Sequence, residues 1–304
     1  MMRTATNLLA LLTATALLSG CGIINKKPKS TPTVGERVAV LVNELDIAVD
    51  PATAALPMVL PAATANAEWG QSGGNAAKLM GHVALGASVG QAFSVSIGEG
   101  STNSRRLGGG PVVAGGKVFT IDTGGTVRAF DAGTGAEAWA ARFGENQGDA
   151  ALRYGGGVAA DGGRVYATNG LGYVAALDAG TGAPLWTVRP GGPLRGAPSV
   201  ADGAIYVISQ DNQLYSLNAA TGATNWSSAA ALEIAGVFGN GSPAVARGTV
   251  VAGFSSGELY AYRYENGRLV WQDALSRSAP ASVRHFRYRS AKAAPAAGVS
   301  AAVQ

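Results

Sequence analysis

The sequence predicts an all-β protein, a β-propeller of four-stranded blades with four to five blades present and the ring incomplete. Three observations carry that expectation. Trp139, Trp186, Trp226 and Trp271 recur at intervals of 47, 40 and 45 residues. Each is preceded at 23 residues by a glycine: Gly116, Gly163, Gly203 and Gly248. A spacing constant within units and variable between them marks a repeated module whose insertions fall in the connections. The third observation is compositional: 44 glycines in 304 residues with only 14% charged residues indicates many tight turns in place of long helices.

Within each module the apolar pattern has period two. Val118-Phe119, Val165-Tyr166, Ile205-Tyr206 and Val250-Val251 open one strand, and Val127–Phe130, Val174–Leu177, Leu214–Leu217 and Leu259–Tyr262 form the next. Runs such as Pro198–Val200 and Pro243–Val245 supply the strand before, and the tryptophan segment supplies the strand after. Between the last two strands stand Asp131-Ala-Gly-Thr-Gly135, Asp178-Ala-Gly-Thr-Gly182, Asn218-Ala-Ala-Thr-Gly222 and Arg263-Tyr-Glu-Asn-Gly267. The Asp or Asn accepts backbone N–H bonds at the first turn position, and the glycine takes the positive φ that reverses the chain. Four strands per unit of this length is the arithmetic of a propeller blade, with the tryptophans packing between neighbouring blades as structural repeat residues.

The N-terminal region reads as an address. Arg3 precedes an eleven-residue apolar run, Leu8–Leu18, too short for the roughly 20-residue helix that spans a bilayer. Leu18-Ser19-Gly20-Cys21 follows, with the chain's one cysteine at the cleavage position. This resembles the lipobox of bacterial lipoproteins, which implies a signal peptide over 1–20, lipid attachment with palmitate and diacylglycerol at Cys21, and durable anchoring by the acyl chains. Gly22 in place of Asp then implies sorting to the outer membrane. Residues 21–67, with Lys26, Lys27, Lys29 and scattered prolines, are expected to be a tether followed by an irregular segment or one short strand. The blades are expected over 68–277.

Two features together point to a family. The repeats resemble those of quinoprotein dehydrogenases, and Trp69-Gly-Gln-Ser-Gly-Gly-Asn75 resembles the opening motif shared by those enzymes and their non-enzymatic relatives. With the lipobox in front, the chain is similar to the BamB family of outer-membrane assembly lipoproteins. That resemblance implies a non-enzymatic scaffold without cofactor, held on the periplasmic face of the outer membrane. Its partners would be BamA and the β-barrel assembly complex, and possible clients unfolded outer-membrane proteins. The alternative is a quinone (PQQ)-dependent dehydrogenase-like propeller, or a lipoprotein propeller with another periplasmic partner. A quinoprotein implies a full ring, a calcium-bound quinone, an aspartate and adjacent cysteines, whereas the one cysteine here is assigned to lipid.

Other chemistry is thinly represented. Gly253-Phe-Ser255-Ser-Gly257 matches a nucleophile-elbow expression but aligns with the hairpin at Ile121–Gly125 of another repeat, where no helix follows. His82 and His285 are the two histidines, and neither has a motif around it. One cysteine excludes a disulfide framework or a multi-cysteine metal site. The connections between blades carry Arg106-Leu-Gly108, Leu152-Arg-Tyr-Gly155, Leu194-Arg-Gly196 and Val237-Phe-Gly239, apolar residues, mostly with an arginine, of the kind that become interface hot spots. The family resemblance implies a docking role on BamA for Leu194, Arg195 and Gly196, with Phe238 as the competing position. The bland reading is ordinary packing between blades.

After Arg277 the pattern stops. Residues 278–304 hold nine alanines, four basic residues and no acid, and are expected to be disordered or out of frame. A propeller of seven or eight blades would then lack part of its ring, leaving two open edges. The whole chain has 23 basic and 19 acidic residues; without Arg3 and the four basic residues of 278–304 it has 18 against 19. The apparent basicity does not belong to the blades, and nucleic acid is not an expected partner.

Overall fold

The computed structural model describes residues 50–103, 105–144, 155–232, 239 and 241–274. Cys21, the signal segment, Val38–Val42, Phe238, His285 and the 278–304 tail lie outside these residues. The chain divides into two compact units, Met1–Val59 and Leu60–Gln304.

In the first unit the described residues form one helical turn, α1 (Pro51–Ala54), within otherwise irregular chain. Asp50 caps it, accepting from the Ala52 N–H at 3.0 Å and the Thr53 hydroxyl at 2.8 Å. Proline at the first helical position lacks the N–H that the cap would otherwise have to satisfy.

The second unit holds four antiparallel sheets, each in strand order 1-2-3-4, and they are the blades of a β-propeller. The first is β1 (Val112–Ala114), β2 (Lys117–Ile121), β3 (Thr126–Asp131) and β4 (Glu137–Arg142); the second is β5 (Gly156–Asp161), β6 (Arg164–Asn169), β7 (Val174–Asp178) and β8 (Pro184–Val188). The third is β9 (Ser199–Ala201), β10 (Ala204–Ile208), β11 (Gln213–Asn218) and β12 (Thr224–Ala229); the fourth is β13 (Ala244–Ala246), β14 (Thr249–Gly253), β15 (Glu258–Arg263) and β16 (Leu269–Ala274). The first strands, β1, β5, β9 and β13, neighbour one another in turn.

Cross-strand register explains the residue pattern. Phe119, Ala129 and Trp139 are opposite one another on three successive strands, as are Tyr166, Ala176 and Trp186, and Tyr206, Ser216 and Trp226. The small central residue lets the two rings approach above it, with centroids 5.9, 6.2 and 6.0 Å apart. In the fourth blade the row is Val251, Ala261 and Trp271. Each third-to-fourth strand ladder shifts register just beyond that small residue, a bulge that turns the outer strand.

The corners form as their residues dictate. Asp131 Oδ1 accepts from the N–H groups of Gly133 and Thr134 and from the Thr134 hydroxyl at 2.8–3.0 Å, while Gly135 takes φ +76°. The Thr134 hydroxyl, followed by the two N–H donors, holds the Asp131 carboxyl below the usual range. Asp178 repeats the arrangement, and Asn218 repeats its two backbone bonds. The apolar core lies between blades: one cluster joins the first and second, another the second and third, and a third the third and fourth.

Candidate functional site

The segment Trp69–Ala76, which holds the motif at Trp69–Asn75, bonds to the first strand of each of the four blades. Trp69 exchanges both backbone bonds with Val113 of β1, at 2.7 and 2.8 Å. The carbonyl of Gly70 accepts from Ala160 of β5 at 2.7 Å, and a Cβ at Gly70 would stand 2.7 Å from the Ala160 oxygen. The side chain of Gln71 grips β9: Nε2 donates to the Val200 carbonyl at 2.7 Å and Oε1 accepts from the Val200 N–H at 3.0 Å. Ala76 closes the series, its carbonyl accepting from Val245 of β13 at 2.8 Å. A glutamine within a glycine-rich segment is the one sequence signal of this hub, since glutamine alone supplies donor and acceptor at one position with that reach. Just beyond it, Lys78 is buried, and burial pushes its ammonium down to about 8.

The tryptophans join blades. Trp139 Nε1 donates to the Ala179 carbonyl at 3.1 Å, Trp186 Nε1 to Ala219 at 3.2 Å and Trp226 Nε1 to Tyr264 at 2.8 Å. In each case the ring covers the corner glycine of the next blade, Gly182, Gly222 or Gly267. Trp271 is 42% exposed, and no described glycine corner lies against it.

The loop with Leu194, Arg195 and Gly196 joins the second blade to the third. Leu194 is fully buried and bridges Ser209 at the hairpin of the third blade. The Arg195 main chain accepts from Gly156 N–H and donates to Ile208 O, both at 3.0 Å, and its guanidinium donates to the Gln210 carbonyl at 2.7 Å. Burial lowers the Arg195 pKa and nearby Asp211 raises it; an arginine stays charged under both. The carbonyl of buried Gly196 accepts from Thr168 of the second blade at 2.8 Å. Leu194 and Gly196 thus serve packing between blades, and Arg195 is the one member of the trio that is only partly buried. Phe238, the competing position, is outside the described residues.

The remaining candidates separate. Ser255 sits in the β14–β15 turn, with its hydroxyl donating to Asn212 Oδ1 at 2.8 Å, so Gly253–Gly257 is a hairpin turn between two strands. His82 is exposed, with Nδ1 2.8 Å from the Pro61 carbonyl. Among the described residues no three His, Cys, Asp or Glu side chains converge as metal ligands. Main chain from Trp69 to Ala76 occupies the inner edges of the blades. Among the described residues no carboxylate cluster that could hold the calcium of a quinone site is present.

The profile of the family described as "Outer membrane protein assembly factor BamB" matches residues 80–152 and 123–301 in two overlapping stretches. The chain belongs to that family. Among curated relatives, outer membrane protein assembly factor BamB of Shewanella oneidensis is 32% identical over 191 residues, covering 60% of this chain and 48% of the relative. BamB of Yersinia pestis is 32% identical over 79 residues, or 26% of this chain and 20% of its own. The chain thus spans about half the length of the curated relatives at most. A solved europium-containing methanol dehydrogenase superposes with a TM-score of 0.56 at 17% identity, over 69% of this chain and 49% of its own. At that identity the likeness is one of fold.

Proposed function

We propose that this chain is a non-enzymatic scaffold lipoprotein of outer-membrane β-barrel assembly, anchored through Cys21 on the periplasmic face, which binds BamA. Family membership over most of the blade region is the observation that carries the reading. On this reading the inter-blade loops form the docking face. Leu194 and Gly196 fix the loop against the second and third blades, and Arg195 presents a planar cation for hydrogen bonding at the rim. The Phe238 loop would lie on the next inter-blade connection.

Extraction in mild detergent followed by co-purification tests the proposal. BamA is expected with the wild-type chain, with a several-fold lower yield for Arg195→Ala measured below its melting temperature, since the lost bond to Gln210 should lower stability by about 1 kcal/mol. Cys21→Ala is expected to release the chain from membranes. A chain that carries quinone and calcium and captures no BamA overturns the reading.

A further inference from the structure

We propose that the corner of the fourth blade, Arg263–Gly267, receives a carboxylate of a partner polypeptide, with Arg247 and Arg268 completing the site. The other three corners show the bound form. In each, a side-chain oxygen of the first residue, Asp131, Asp178 or Asn218, accepts from the N–H groups two and three residues on, at 2.8–3.1 Å. The fourth corner keeps the same backbone. Gly267 takes φ +68°, against +76°, +74° and +77° at Gly135, Gly182 and Gly222. Its N–H donates to the Arg263 carbonyl at 2.9 Å and the Arg263 N–H donates to the Arg268 carbonyl at 2.8 Å, as Gly135 does to Asp131 and Asp131 to Ala136. Asn266 Oδ1 accepts from the Arg268 N–H at 3.0 Å, the bond that the Thr134 hydroxyl takes from Ala136. What differs is the first position. Arginine has no acceptor, and among the described residues nothing accepts from the N–H groups of Glu265 and Asn266.

The charge at this end of the blade is reversed as well. Arg247 lies in the β13–β14 turn, which the Tyr264 N–H joins to the corner through the Gly248 carbonyl at 3.0 Å. Arg247, Arg263 and Arg268 are exposed, and none belongs to an ion pair among the described residues. Their equivalents are Gly115, Asp131 and Ala136 in the first blade, Gly162, Asp178 and Ala183 in the second, and Asp202, Asn218 and Ala223 in the third. Arg247 also holds φ +48°, where the first two blades place glycine, a conformation that costs arginine more than glycine. The acids at hand are Glu265 in the corner and Asp202 in the turn of the third blade, fewer than the arginines. Two successive backbone N–H groups beside guanidinium groups are a donor set for a carboxylate. The Trp226 ring covers Gly267 and its Nε1 donates to the Tyr264 carbonyl, so every group of the site belongs to the third or fourth blade. The site lies at the end of the strands opposite the Arg195 loop, which meets the third blade at Ile208 and Gln210. A polypeptide held here is therefore additional to one docked on that loop.

The test titrates the full chain with a synthetic oligo-aspartate peptide and follows backbone amide resonances. The Glu265 and Asn266 amides should shift together and saturate, while those of Gly133 and Thr134, already bonded to Asp131, stay in place. An oligo-asparagine peptide should move neither pair. Arg247→Ala, Arg268→Ala and Arg263→Ala should each weaken binding about threefold, the range of an exposed charge pair, with both amides still shifting. Arg263→Asp gives the corner its own carboxylate, as at Asp131; it should abolish the shift and weaken binding at least about tenfold, with thermal stability unchanged or raised. Arg106→Ala, on an exposed residue before the first blade, should leave affinity unchanged. Inorganic phosphate and phosphatidylglycerol vesicles form the remaining arms. If either saturates the two amides at a lower concentration than the peptide, the corner is a phosphate site and the inference is overturned. It is equally overturned if the peptide gives no saturable shift, or if Arg263→Asp binds the peptide as the wild type does.

Discussion

The side chain of Gln71 satisfies both backbone groups of Val200, 129 residues away, at 2.7 and 3.0 Å within a buried site. It acts as a surrogate strand residue, completing on β9 the pairing that Trp69 makes with β1 through its own main chain. Gln71→Ala leaves a buried N–H and a buried carbonyl without partners and should cost about 2–4 kcal/mol. Gln71→Glu should be worse at neutral pH, since a carboxylate cannot donate to the Val200 carbonyl. Urea unfolding of the two variants checks both statements.

Replacing a tryptophan by phenylalanine removes the indole N–H and keeps most of the ring. Trp139→Phe, Trp186→Phe and Trp226→Phe should each lower stability by about 1–2 kcal/mol, because each loses a bond to the next blade. Trp271→Phe in the isolated chain should be close to neutral. Thermal melts of the four variants side by side decide it, and equal losses in all four would refute the assignment.

Two glycines of the second blade share a backbone conformation and differ in surroundings. Gly163 has φ +75° and nothing within 4 Å of a Cβ, whereas Gly182 has φ +74° and the Trp139 ring at 2.6 Å. Gly163→Ala should cost about 1 kcal/mol, the backbone term alone. Gly182→Ala should cost about 3 kcal/mol or more, since the ring must also move. Equilibrium unfolding in denaturant measures the difference.

Lys78 should make stability depend on pH in the alkaline range. Its folded pKa of about 8 lies below the ordinary value of 10.5, so between these values the unfolded chain binds more protons than the folded one and stability rises with pH. The full rise is on the order of 3 kcal/mol. Buried Tyr206, pushed up to about 12 by burial, acts in the opposite sense above pH 10, where unfolded tyrosines ionise first. The contrast with Lys78→Met isolates the lysine: that variant should be more stable at pH 7, with a gap that narrows from pH 8 upward.

The blades were legible because their determinants are local. Alternation sets a strand, an Asp two and three residues before its N–H donors sets a corner, and a glycine at positive φ ends it. The row of aromatic, small residue and tryptophan then follows from register. What sequence reasoning missed is set by assembly. Gln71 carries no pattern that points to Val200, and Phe93 covers the Gly135 corner from a segment without a regular strand. Leu194 and Arg195 show the limit from the other side: an apolar residue beside an arginine has the composition of a hot spot and of an inter-blade wedge alike, and burial alone separates the two roles. Asp50-Pro51 is a helix start in two residues, and the prolines that follow at 57 and 61 keep the turn short.

The hub contacts run in the order of the chain: 69 with 113, 70 with 160, 71 with 200, 76 with 245. The anchoring residues are synthesised before any blade, and a chain made from its N-terminus completes its domains in that direction. Each blade can therefore be secured as it is finished, without waiting for the next. The structure grows by addition, and an interruption downstream leaves every earlier blade with its full set of axial bonds.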